Sequence, residues 1–118
     1  MALTREFTES VRERSARDPE FATALLRESV VALVAGECEL ARTVLRELVN
    51  ATLGFERLAK ELGKPGKSVH RMLSRRGNPT MDNLAGILVV LQRELGTELE
   101  IEPAVRNSRP RRRGGGGG

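Results

Sequence analysis

A glycine and a proline two residues apart, Gly63 and Pro65, interrupt a run of good helix formers and dictate how the middle of this chain must fold. Residues 55–74, FERLAKELGKPGKSVHRMLS, place Leu58, Ala59 and Leu62 before the break and Val69, Met72 and Leu73 after it. Two short helices that cross at about 90–120° leave room only for a small side chain where they approach most closely, and the corner needs a residue without Cβ. Ala59 meets the first demand and Gly63 the second. Pro65 disfavours helical geometry at Lys64, and Gly66 is a poor helix former, so a second helix is expected to start at Gly66 or Lys67. The stretch therefore reads as a helix-turn-helix. In such a motif the second helix enters the DNA major groove with its first residues towards base edges. That assigns Lys67, Ser68, His70 and Arg71 to the reading face, with Val69, Met72 and Leu73 turned to the core. Lys64 in the turn is counted among the DNA-binding residues, and Arg75 or Arg76 beyond the helix is expected on phosphate.

Charge is distributed to match. Residues 1–50 carry a net −2, residues 51–76 a net +5, residues 77–105 a net −4 and residues 106–118 a net +5, which together give the overall +4. Basic charge thus collects in the helix-turn-helix and the tail, the footprint of a face that meets a polyanion. A charge run is as readily a solvated surface, and for the tail alone the two readings weigh equally.

The rest of the chain, 118 residues in all, reads as one all-α domain of five to six helices around that motif. Residues 1–17 form an N-terminal amphipathic helix with Leu3, Phe7, Val11 and Ala16 along one stripe. Asp18-Pro19-Glu20 is a helix start, with Asp18 as N-cap and Pro19 as the first helical residue. The helix it opens is expected to reach about Ala35, with apolar residues over more than half its circumference and hence more than one buried neighbour. Gly36 closes it, and Glu37-Cys38-Glu39 opens a partner helix carrying Leu40, Ala41, Val44, Leu45, Leu48 and Val49, so the two make a hairpin. Beyond the helix-turn-helix, Gly77 and Asn78 suit positive φ in a loop, and Thr80 caps a last helix that ends at Gly96. Thr97 to Glu102 then alternates apolar and Glu, a half-buried strand with no partner in the chain, expected to pair across a dimer. The main domain spans residues 18–102, and residues 103–118 read as a disordered basic and glycine-rich tail.

The run LAKELGKPGKSVHRMLSRRGNPTMDNLAGILVVLQRELG resembles the helix-turn-helix domain of bacterial Xre/Cro-type regulators. With the leading Arg17-Asp18-Pro19-Glu20-Phe21 and Gly77-Asn78-Pro79-Thr80, residues 17–102 resemble HigA-like antidote proteins of toxin–antitoxin modules. The resemblance implies a homodimer that binds a palindromic operator, often its own promoter, as a repressor, and in some relatives a bound toxin. Two departures stand out: Lys64 occupies a turn position that is usually apolar, and Gly66-Lys67 opens the second helix without a Ser, Thr or Asp cap.

Other classes find little support. Three Phe and no Trp or Tyr speak against single-stranded nucleic acid held by base stacking. One His and one Cys, with no phosphate-cradling glycine loop and no cluster of ligand residues, leave no catalytic, metal or cofactor site, and no enzyme is expected. Cys38 reads as a small, half-buried residue. No apolar run approaches the ~20 residues of a membrane span and the N-terminus lacks a signal-peptide core, so a cytoplasmic protein without a membrane partner is expected. The alternative to DNA recognition is a protein-binding module that neutralises a toxin or another partner.

Overall fold

The computed structural model describes residues 12–105. Within them the regular structure is entirely helical: α1 (12–17), α2 (Pro19–Val34), α3 (Cys38–Ala51), α4 (Gly54–Leu62), α5 (Gly66–Met72) and α6 (Met81–Leu95). Helix starts follow the local chemistry. The Asp18 carboxylate accepts from the Phe21 N–H at 3.2 Å, with Pro19 next in the chain, and the Thr80 hydroxyl accepts from the Asn83 N–H at 3.1 Å. Each satisfies one of the backbone donors that the first turn of a helix leaves unpaired.

Three helices stop in the same way. At Gly63, φ is 66°, the Gly63 N–H donates to the Lys60 carbonyl at 3.2 Å, and the Lys64 N–H donates to that of Ala59 at 3.0 Å. Gly36 and Gly96, at φ 84° and 62°, close α2 and α6 with the same pair of bonds. This crossed pairing uses carbonyls that the last turn would otherwise leave free, and it needs the left-handed backbone that glycine adopts without strain. Lys64 sits exposed at the turn, which the two bonds close without an apolar side chain there.

The hairpin of α2 and α3 packs together, α4 joins α3 and α5, and α6 lies against both α2 and α4. One core results, built from Ala22, Leu26, Leu45, Leu48, Leu58, Val69, Leu73, Ile87 and Leu91, with Leu53, Phe55, Met72 and Leu99 half-buried around it. Gly86 faces α4, where a Cβ would lie 2.9 Å from Cδ2 at the flexible end of Leu62. Two ion pairs, Arg57–Glu94 at 2.8 Å and Arg93–Glu61 at 3.5 Å, join the outer sides of the same two helices.

Several expectations need correction. Gly77 and Asn78 do not have positive φ. Gly77 is required for a different reason: a Cβ would run into the Met72 and Arg71 carbonyls. Cys38 is exposed rather than half-buried, because it begins α3 at the solvent end of the hairpin turn. Ala16 is exposed, and the buried residue of α1 is Ser15. Val31 and Val34, at 52% and 77% exposure, lie outside the packed side of α2, whose buried positions are Ala22, Leu26, Ser29 and Ala32. Residues 97–105 carry no regular secondary structure within the chain; Leu99 is tied back by its N–H to Gln92 Oε1 at 2.8 Å, and Ile101 is 71% exposed. Leu3, Phe7 and Val11, and the tail from Arg106 onward, lie outside the described residues. No described helix is long and apolar enough to cross a membrane.

Candidate nucleic-acid interface

The helix-turn-helix is α4, the Gly63–Pro65 turn and α5. Its inner side is formed by Leu58 and Val69, both wholly buried, with Ala59 at 5% and Leu73 at 1% exposure. Pro65 has the extended backbone of an N-cap, and its carbonyl accepts from the Ser68 and Val69 N–H groups at 3.1 and 3.2 Å. No side chain caps α5, as expected from Gly66-Lys67. A seven-residue helix with a glycine at its start has little stability of its own, so its position comes from docking Val69, Met72 and Leu73.

With those three residues inward, the opposite stripe of α5 runs Lys67, His70, Arg71 and on to Ser74, at helical spacing. Lys67, His70 and Arg71 are exposed, as are Lys64, Arg75 and Arg76, whereas Ser68 is half-buried at the flank. The ring of His70 is not free on every side. It packs at a tilt against Phe55 of α4, with centroids 4.7 Å apart and planes at 50°. This contact commits the residue to the α4–α5 packing as much as to a ligand, and nothing in the one-dimensional spacing announces it.

The cations fall into two groups. Arg57 is paired with Glu94, and Arg75 Nε lies 3.2 Å from the Glu39 carboxylate. Lys60, Lys64, Lys67, Arg71 and Arg76 have no carboxylate partner among the described residues. Such exposed charges on one motif raise the local potential for anions.

Two residues that the sequence does not point to also touch this region. From α3, Arg42 donates through Nε to the Ser74 carbonyl at 3.2 Å and through Nη2 to the Arg75 carbonyl at 2.9 Å. Glu39, one turn earlier on the same helix, holds Arg75. Both are more than thirty positions from their partners, and only their place on the polar side of the amphipathic α3 is visible in the sequence.

Among the described residues no group of His, Cys, Asp and Glu is arranged to hold a metal ion. No family model, curated protein or solved structure matches this chain.

Proposed function

We propose that this protein is a sequence-specific double-stranded DNA-binding transcriptional regulator of the Xre/Cro type, acting as a repressor. The observation that carries the reading is the α4–turn–α5 unit, with its apolar side buried and with Lys60, Lys64, Lys67, Arg71 and Arg76 exposed and unpaired among the described residues. α5 lies in the major groove; Lys67, His70 and Arg71 address bases, and Lys64 and Arg76 address phosphates. Ser68, half-buried, contacts the backbone at the flank, and Arg75 reaches phosphate only by leaving Glu39.

The active species in this reading is a two-fold dimer on a palindromic operator, its two reading helices about one duplex turn, roughly 34 Å, apart. Residues 97–102 form the contact as an antiparallel strand pair. In support, an apolar groove of about 430 Å³ lies between the end of α2 and this segment, lined by Val30, Val31, Val34, Leu99 and Ile101. The backbone of residues 100–102 makes no hydrogen bond to other backbone within the described chain, which leaves its N–H and C=O groups for a neighbour. The same groove favours one further reading, in which a toxin of the kind bound by antidote proteins occupies it.

Selection of duplexes from a random library, followed by titration of Arg71→Ala and Arg76→Ala, tests the proposal. Removing the base-directed side chain of Arg71 should cost about 1–3 kcal/mol on the selected duplex and little on a scrambled one, while Arg76→Ala should weaken both alike. Enrichment of no sequence by the parent protein would sink it.

A further inference from the structure

The reading helix is short, uncapped by side chains at its start, and held among the described residues by the apolar contacts of Val69, Met72 and Leu73 and by the tilted ring contact of His70 with Phe55. Apolar contacts resist separation but define rotation and tilt weakly, because they have no direction. At its far end the situation is different. The chain winds tightly after Met72: the Ser74 N–H and hydroxyl both meet the Arg71 carbonyl, at 3.1 and 2.7 Å, and the Gly77 N–H donates to the Ser74 carbonyl at 2.9 Å. Gly77 is buried there and has no room for a side chain. Onto this tight turn Arg42 reaches from α3, half-buried, with two donors of one planar guanidinium directed at two successive carbonyls.

We infer that Arg42 is a positioning residue for sequence reading, fixing the orientation of α5 by clamping the Ser74 and Arg75 carbonyls against α3. The inference rests on the DNA-binding reading above and adds to it a residue outside the motif. Bonds to carbonyls from a charged, planar group are directional and stronger than neutral ones, and two at once fix an angle as well as a distance. The positive charge also lies at the carbonyl end of α5, where the helix dipole favours it. α3 is itself anchored by Ala41, Leu45, Leu48 and Val49 in the core, so the clamp connects the reading helix to the most deeply buried part of the fold. Without it, α5 keeps its apolar seat but samples a wider range of tilt. Base contacts depend on such angles far more than phosphate contacts do.

The test compares the full chain with Arg42→Gln and Arg42→Lys, using a duplex enriched by the parent protein and a scrambled duplex of equal length. Arg42→Gln should bind the enriched duplex about tenfold more weakly and the scrambled one within about twofold of the parent. Arg42→Lys keeps the charge but has no planar pair of donors, and should recover less than half of the selectivity that Arg42→Gln removes. Equal weakening on both duplexes, or full recovery by lysine, would overturn the inference. Amide hydrogen exchange in the free proteins supplies a second, DNA-independent arm: Arg42→Gln should speed exchange at Ser74 and Gly77 about tenfold while leaving Ile87 and Leu91 in α6 unchanged. Unchanged exchange at the turn would remove the clamp regardless of DNA. If instead the parent enriches no sequence while exchange at the turn does respond, the DNA reading fails and Arg42 is left as an anchor of the turn only.

Discussion

Single residues in this molecule act for reasons that differ even where their chemistry is the same. Gly63 and Gly77 both flank α5, but Gly63 is needed for a left-handed backbone and Gly77 for proximity to the Met72 and Arg71 carbonyls. Gly77→Ala should therefore destabilise the fold by about 1–3 kcal/mol, an overpacking cost, seen as a lower urea midpoint with an unchanged slope. Glu39 offers a second case, since it lies beside Arg75 at the edge of the candidate interface. An exposed pair of this kind contributes little to folding. Its effect falls on binding, because Arg75 must leave the Glu39 carboxylate before it meets a phosphate. Glu39→Gln should leave the thermal midpoint within about 1 °C and steepen the salt dependence of DNA affinity by up to one phosphate contact, about 0.9 in the log–log slope. A slope equal to the parent's would show that Glu39 does not keep Arg75 from phosphate. Gly63 is legible in the sequence because its role is local. Gly77 reads as a loop residue for the wrong reason, and Glu39 and Arg42 do not stand out at all, because their roles depend on which distant backbone folding brings to them.

Among the elements, those with strong end signals are the most legible. Asp18-Pro19, Gly36, Thr80 and Gly96 each mark a boundary within a residue of where it occurs, since capping is settled by neighbours in the chain. The buried side of α2 is less so. Its apolar residues cover most of the circumference, and periodicity alone does not tell Ala32, which is buried, from Val34, which is not. α1 shows the complementary limit: it is held by the Arg12–Glu47 pair at 2.8 Å, with Glu47 almost wholly buried, and by Arg14 placed 4.3 Å from the Phe21 ring centre, neither of which a hydrophobic stripe reveals. α5 allows a constructive test. Gly66 has ordinary φ and open space around it. Gly66→Ala should then stabilise the protein by about 0.5–1 kcal/mol through a less flexible unfolded chain, raising the urea midpoint. A destabilised variant would mean that the first turn of α5 is not helical in solution.

At the scale of the whole molecule, charge is partitioned between two proposed associations. The helix-turn-helix presents cations that are unpaired among the described residues, and the segment after α6 presents Glu98, Glu100 and Glu102, the last two at the apolar groove. When two copies of an alternating strand pair about a two-fold axis with their apolar faces inward, each glutamate row must meet the other. Like charges directly opposite are destabilising, and salt screens them over about 10 Å at 0.1 M. Dimerisation should accordingly tighten as salt rises, measurable by sedimentation equilibrium, whereas DNA affinity should fall. Replacing Glu98, Glu100 and Glu102 with Gln should remove the first trend and leave the second. The glutamate row thus becomes more than a solvated edge. At protein concentrations near the dimer constant, operator occupancy should climb with added salt, pass through a maximum and then decline, and a covalently tethered dimer should show only the decline.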